Sequence, residues 1–157
     1  WPSVVKSGSV CRQLVHQADI MATLADILRA TLPDNAGEDS FSLVPLLQGD
    51  DKPVREHAVS CSIRGVAGLR KGPWKLIFEQ DGQAMTDVQL YNLDDDIGET
   101  KNLAAGQPEL VAGMKSLMAT LIAEGRSTPG AAQKNDAEVR IHKEGILIPT
   151  KQARRVK

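Results

Sequence analysis

Four short stretches of this 157-residue chain carry side chains that could do chemistry. In the first, His57 is followed by Ser60-Cys61-Ser62, which puts an imidazole, two hydroxyls and a thiol close together in sequence. Such a set invites a nucleophile paired with a general base. On a strand, however, Ser60 and Ser62 point to the face opposite Cys61, and the stretch has neither a nucleophile elbow nor a helix N-terminus to lower the thiol pKa. A self-contained hydrolase built on these residues is disfavoured.

The second stretch is Asp94-Asp95-Asp96 with Glu99. Calcium takes several oxygen ligands, but an EF-hand loop needs acids at alternate positions, Gly at its sixth place and Glu at its twelfth, and this spacing fails. Turn acids at a sheet edge are the better reading, with Asp96, Glu99 and Asn102 bonding loop backbone. Gly65-Val66-Ala67-Gly68 lacks the strand, Gly-x-Gly-x-x-Gly and helix context of a dinucleotide loop, so turn and bulge glycines are expected. Trp74-Lys75 is an aromatic–basic pair, but only 3% of the chain is aromatic and no basic field surrounds it. That excludes a nucleic-acid track and leaves a core Trp beside an outward Lys.

The composition sets wider bounds. With 41% hydrophobic and 25% charged residues the chain can bury one modest core or a small domain plus extra segments. A formal net charge of -1 gives no field for steering nucleic acid or anionic lipid, and the basic end Arg154-Arg155-Val156-Lys157 is short. No apolar run approaches the roughly 20 residues that span a bilayer. Opening on Trp1-Pro2, the sequence reads as a fragment or processed product whose export is not legible. Cys11 and Cys61 have no Cys-x-x-Cys spacing and read as plain thiols, and His16, His57 and His142 form no His-x-x-x-His pair.

The elements that must position these residues follow from periodicity. Trp1 to Val15, with Ser7-Gly8-Ser9 inside it, reads as a strand or extended stretch with a turn. From Asp19, Ile20, Leu24, Ile27 and Leu28 recur at helical spacing, with Met21 and Ala25 widening the stripe and Asp19 placed to cap the helix. Leu32-Pro33-Asp34-Asn35-Ala36-Gly37 ends it. Leu43 to Leu47 reads as a second short helix, and the polar, Pro-containing stretch from Lys52 marks a boundary. Val59, Cys61 and Ile63 alternate with polar neighbours. Trp74, Leu76 and Phe78 follow the turn Lys71-Gly72-Pro73, and Val88, Leu90 and Asn92 follow Asp81-Gly82. Tight connections favour antiparallel pairing. Pro108 starts a helix whose stripe of Leu110, Met114, Leu117, Met118 and Leu121 ends near Gly125 and covers the sheet. Ile146-Leu147-Ile148 is a candidate late strand or docking contact, and Lys151 to Lys157 a loose end.

Read together, several segments resemble the C-terminal region of the type I, arylsulfatase-like sulfatases of the alkaline-phosphatase-like superfamily. Trp1-Pro2 is similar to the strand segment after the active-site lysine region. Asp19-Ile20-Met21-Ala22-Thr23-Leu24 resembles the family's Asp-hydrophobic-x-Pro-Thr-hydrophobic helix start, with Ala22 in place of proline. Asp39-Ser40-Phe41-Ser42-Leu43-Val44-Pro45-Leu46-Leu47-Gln48-Gly49 resembles Asp-Gly-x-Ser-Leu-x-Pro-Leu-Leu-x-Gly, with Ser40 in place of glycine. Arg70 to Ile77 resembles the Arg-x-Gly-x-Trp-Lys-Leu strand pair. Leu90 to Leu103 resembles Leu-Tyr-Asp-Leu-x-x-Asp-x-x-Glu-x-x-Asn-Leu, and Ser127-Thr128-Pro129-Gly130 a motif after the last helix of bacterial members.

The resemblance implies an α+β fold: a small antiparallel sheet of about four strands packed by a C-terminal helix, preceded by a strand–helix segment that completes a missing α/β catalytic domain. Residues 1–50 would end the large domain, 51–130 form the sheet-plus-helix subdomain and 131–157 an extended or partly disordered tail. The parent would be a sulfuric ester hydrolase whose Cys-x-Pro-x-Arg or Ser-x-Pro-x-Arg segment carries formylglycine and whose calcium holds the sulfate ester. This chain matches neither the modification motif nor those ligands, so no catalytic residue, metal ligand or cofactor is assigned to it, and the chain alone is expected to be inactive. Its partner would be the rest of the sulfatase chain, with no nucleic acid and no membrane span. By family analogy its compartment would be the periplasm or the medium around a bacterium. The subdomain would border the substrate cleft through His57, Ser60, Cys61, Ser62 and Arg64, where bacterial relatives carry His-His-Ser in place of Ser60-Cys61-Ser62. A fragment of a phosphonate or phosphodiester hydrolase of the same superfamily, or an independent binding or interaction module, are the alternatives.

Overall fold

The computed structural model describes residues 1–63, 65–79, 87–139 and 141. Arg64, the Asp81-Gly82 turn, His142, Ile146-Leu147-Ile148 and the Lys151 to Lys157 end lie outside the described residues. In chain order the elements are a 3₁₀ turn at Gln17–Asp19, α1 (Ile20–Ile27), α2 (Val44–Leu47), β1 (His57–Cys61), β2 (Ala67–Lys71), β3 (Trp74–Ile77), β4 (Gln89–Asn92), a 3₁₀ turn at Ala104–Gly106 and α3 (Pro108–Glu124). The four strands form one antiparallel sheet in the order β1-β2-β3-β4.

Strand alternation decides what the sheet buries. Val59, Leu69, Leu76 and Leu90 stand directly opposite one another in register. Leu69, Leu76 and Leu90 are fully buried, and Ala67, Phe78 and Val88 extend the same cluster. Met114 and Met118 of α3 close it from above, flanked by half-buried Leu110, Leu117 and Leu121. The helical spacing read from Leu110 to Leu121 is therefore the stripe that packs. Burying each of the Leu and Met side chains contributes about 1.5–3 kcal/mol before chain entropy is subtracted.

Turn chemistry sets the register. β2 and β3 are joined by the two residues Gly72-Pro73, and Gly72 has φ 55 at the first central position. That placement matches the twist of the flanking strands, and Pro supplies a fixed φ beside it. Pro108 opens α3 in its first turn, and Gly125 closes it in the left-handed conformation at φ 63. A Cβ on Gly125 would lie 2.1 Å from the Gln133 carbonyl oxygen, so only glycine fits where the chain folds back.

The acidic turn after β4 is a folding device. Asp96 accepts from the Lys101 and Thr100 amides at 2.9 and 2.8 Å and from the Thr100 hydroxyl. The Lys101 amide foremost, then the Thr100 groups, hold its carboxyl below the ordinary carboxylate range. Asn102 Oδ1 accepts from the Leu90 and Ala104 amides at 3.0 and 2.9 Å, which pins β4 to the approach to α3. Glu99 differs from expectation. It sits at φ 54 and reaches Lys75 Nζ at 2.6 Å instead of loop backbone, because that φ turns its side chain toward β3.

Three further expectations are corrected. Of the two readings of Trp1 to Val15, the strand is not seen among the described residues; the turn is, at Ser7-Gly8, and a second turn has the Val4 and Val5 amides bonding the Trp1 carbonyl. Asp19 does not cap α1: its carboxylate accepts from His16 N and Phe41 N, while Ser40 Oγ accepts the Ala22 amide of the first helical turn. A polar side chain from the following loop thus does the capping. Finally, β1 carries a less complete apolar face than its alternation suggested. Cys61 and Ile63 are exposed and Ala58 is buried, because β1 is an edge strand and α3 reaches only as far as Val59.

Chemical denaturation should show Leu76→Ala losing about 2–5 kcal/mol, since a fully buried leucine leaves a cavity in the centre of the sheet. Asn102→Ala should cost roughly 1–3 kcal/mol by stranding two amides. A loss below 0.5 kcal/mol for either would contradict the packing and hydrogen bonding described.

Candidate functional site

Of the residues expected to border a cleft, the described ones, His57, Ser60, Cys61 and Ser62, do not form one constellation. His57 and Cys61 share a face of β1 with Val59, and Ser60 projects from the other face. Four residues along a strand separate His57 from Cys61 by about 13 Å, far beyond hydrogen-bond reach. Ser62 is consumed by the turn into β2: its amide donates to the Val66 carbonyl and its hydroxyl accepts the Val66 amide at 3.1 Å. No nucleophile–base pair exists among these described residues. Ser60, Cys61 and Ser62 nonetheless lie exposed along the free edge of the sheet.

Cys61 opens onto a cavity of about 320 Å³. Val59, Ala67, Met118, Leu121 and Ile122 give it an apolar wall, and His16, Arg55 and Arg126 supply polar atoms. Arg126, at the end of α3, is buried and donates to carbonyls of Thr128, Pro129 and Ala131 and to the Thr128 hydroxyl. Thr128 in turn bonds the Glu38 carbonyl through its hydroxyl at 2.7 Å and through its amide. The Ser127-Thr128-Pro129-Gly130 segment is therefore a clasp that binds the end of α3 to the loop before α2.

Arg55 is the residue the sequence reading missed. Its side chain is 2% exposed and its partner Asp19 is fully buried, with Arg55 Nη2 at 3.4 Å from Asp19 Oδ1 and donating to the Asp39 carbonyl at 2.8 Å. The Phe41 ring stands 4.9 Å from the guanidinium carbon. Burial pulls the Arg55 pKa down, while the charges of Asp19 and Asp39 push it up; an arginine stays ionised through such a contest. Arg55 Nε and Nη1 and His57 Nε2 are buried without a partner among the described residues.

No group of His, Cys, Asp and Glu side chains among the described residues could hold a metal ion. The acidic turn does not fit calcium either, since Asp96 is satisfied by Thr100 and Lys101, and Asp95 accepts from the Asn92 amide at 2.7 Å. No helix among the described residues is long and apolar enough to cross a membrane.

Another exposed feature among the described residues is apolar. Ile20, Met21, Leu24, Ile27 and Leu28 are all exposed on and just after α1, Leu24 by 53% and Leu28 by 74%. The helical stripe that periodicity identified is real, but within this chain nothing described covers it. Val10 and Val15 are exposed close by in sequence. Contiguous apolar exposure of this kind marks a surface that packs on something else.

Burial first, and then the Arg55 charge, lower the His57 pKa from its ordinary value of 6.5. The folded protein thus binds a proton less readily than the unfolded chain. The stabilisation is complete above the unfolded value and is lost as pH falls from about 6.5 through the lower folded pKa. Denaturation followed from pH 8 to 5 should show stability falling below pH 6.5, and His57→Gln should flatten that fall. An unchanged profile in the variant would remove the role assigned to His57.

No family model matches the chain. Curated relatives do: it is 33% identical over 129 residues to the N-acetylgalactosamine-6-O-sulfatase of Bacteroides thetaiotaomicron, across 75% of this chain and 25% of the relative. It is 31% identical over 144 residues to human arylsulfatase A, across 74% of this chain and 28% of that enzyme. The chain thus spans about a quarter of the length of these relatives. A solved structure from a Bacteroides thetaiotaomicron locus for glycosaminoglycan metabolism superposes on 77% of the chain and 27% of its own length, with a TM-score of 0.66 and 31% identity. A sulfatase from Bacteroides fragilis shares the fold at a TM-score of 0.59 and 21% identity, over 77% of this chain and 28% of its own. The four-stranded antiparallel sheet with its covering helix, joined to these likenesses, places the chain in the sulfatase family as a C-terminal region.

Proposed function

We propose that this chain is the architectural back of a sulfuric ester hydrolase and does no chemistry alone. The observation that carries the reading is the uncovered apolar face of α1, in a chain that spans only a quarter of its relatives. In this reading Ile20, Met21, Leu24, Ile27 and Leu28 pack against the large catalytic portion, and residues 1–50 complete that portion. Residues 51–130 form the smaller subdomain, and 131–157 its tail. Each large aliphatic side chain so covered would contribute about 1.5–3 kcal/mol to the union.

The residues of the chain supply support and shape. The Asp19–Arg55 pair and the Thr128–Glu38 clasp hold α1 and its loop to the sheet, so the docking face and the sheet edge keep a fixed relation. His57, Ser60, Cys61 and Ser62 along the edge of β1, together with Arg64, which lies outside the described residues, would then rim the substrate cleft. Sulfate-ester attack would be carried by formylglycine and calcium held elsewhere in the parent. That fits a sequence with no Cys-x-Pro-x-Arg or Ser-x-Pro-x-Arg segment. Cationic stabilisation of the transferring anion's oxygens is the chemistry such a parent supplies.

The chain alone should bind an apolar-surface dye and self-associate as concentration rises. Leu24→Glu with Leu28→Glu should remove most of the dye signal without lowering the melting temperature, because both side chains are exposed. A dye-silent, monodisperse wild-type chain would refute the docking face, and hydrolysis of an aryl sulfate by the purified chain would refute its inactivity.

A further inference from the structure

The two edges of the sheet differ in how their backbone groups are used. At the β4 edge the outward groups are taken within the chain: the Leu90 amide donates to Asn102 Oδ1, the Leu90 carbonyl accepts the Leu103 amide at 2.8 Å, and the Asn92 carbonyl accepts the Asp96 amide at 2.8 Å. At the β1 edge the register leaves such groups open. The Ser62 amide bonds the Val66 carbonyl, and Ser60 and Ala58 stand opposite Gly68 and Arg70 in the same alternation, so these residues turn their backbone groups toward β2. The amides and carbonyls of His57, Val59 and Cys61 therefore point away from the sheet, and no hydrogen bond reaches them among the described residues. An open row of backbone donors and acceptors is a template for a further strand.

The chain itself leads to that edge. After α3 the backbone folds back, with the Gln133 amide on the Glu124 carbonyl and Asn135 Nδ2 on the Ile122 carbonyl at 2.6 Å. Val139 and Ile141 then line the same cavity as Val59 and Cys61, and Ile141 packs on the core. The described path thus arrives beside β1. Residues 142–157 follow and lie outside the described residues; their sequence carries one strand pattern, Ile146-Leu147-Ile148 between Gly145 and Pro149. β-Branched residues suit a strand, and proline, with no amide to donate, ends one. From Ile141 an extended chain reaches Ile148 over roughly 23 Å, more than the roughly 17 Å of a strand the length of β1.

We propose that the segment around Ile146-Leu147-Ile148 adds to β1 as a further strand, bonding the open amides and carbonyls of Val59 and Cys61. A second copy of the chain, paired edge to edge, is the competing occupant. It fits less well, because Ile141 brings this chain's own continuation to the strand and a tethered partner acts at high effective concentration. The added strand takes backbone groups, so the side chains of Ser60 and Cys61 keep to the two faces of the sheet. Every residue invoked belongs to this chain, so the inference stands or falls independently of the sulfatase reading.

The test follows amide hydrogen exchange by NMR in the 157-residue chain, in a form ending at Ile141, and in the full-length variant Leu147→Pro. The Leu69 amide, inside the sheet, reports that each form keeps its fold. In the whole chain the Val59 and Cys61 amides should exchange slowly, and in both altered forms at least about tenfold faster with Leu69 unchanged. Leu147→Pro keeps the chain length, so it separates loss of strand pairing from loss of the tail. The proposal is overturned if Val59 and Cys61 exchange as fast in the whole chain as in the shortened one, or if Leu147→Pro leaves them protected. It is also overturned if their protection rises with protein concentration, which marks a second copy on the edge.

Discussion

A single buried contact, Arg55 to Asp19, decides how this chain holds together. The sheet with α3 has its own core, whereas α1 and the loop after it have almost none: Thr23, Ser40 and Leu46 are buried there, but the apolar stripe of α1 faces outward. What fixes that segment is polar. Asp19 accepts from His16 and Phe41 and faces Arg55, and Arg55 donates to Asp39. Removing one partner of such a pair is far costlier than the pair's net contribution, because an uncompensated charge stays buried. The pair therefore specifies a position more than it supplies stability. The Arg126 and Thr128 clasp repeats the device at the other end of the segment.

This division explains which parts of the architecture could be read from the residues. Elements whose burial is satisfied within the chain obey simple periodicity: Leu76 and Phe78 of the β3 segment are buried between half-buried neighbours, α3 repeats at helical spacing, and Pro108 and Gly125 bracket it. The motifs Arg70 to Ile77 and Leu90 to Leu103 carry the family likeness because they build this core and its turn. Asp96 and Asn102 were legible as backbone-binding turn residues for the same local reason.

The misreadings cluster where long-range contacts overrule local preference. Asp19 has the sequence of a helix cap, but Arg55, 36 positions later, and the Phe41 amide claim its carboxylate. Arg55 itself sits after Pro53 in a polar stretch that reads as a linker, and no local signal marks it as buried. Glu99 looked like its neighbours until its positive φ and the cross-strand Lys75 were in view. For β1 the alternation was sound, but an edge strand needs a cover that α3 extends only to Val59. The candidate rim residues rest on likeness alone; Ser60, Cys61 and Ser62 lie exposed and form no reacting pair with His57.

The central proposal is that α1 is an internal packing face of a larger protein. Its most direct test is hydroxyl-radical footprinting of Met21, read by mass spectrometry, in the chain alone and in the longer protein proposed to contain it. Met114 serves as the buried reference. The account predicts rapid oxidation of Met21 in the isolated chain and protection approaching that of Met114 in the longer protein. Equal oxidation of Met21 in both would contradict it.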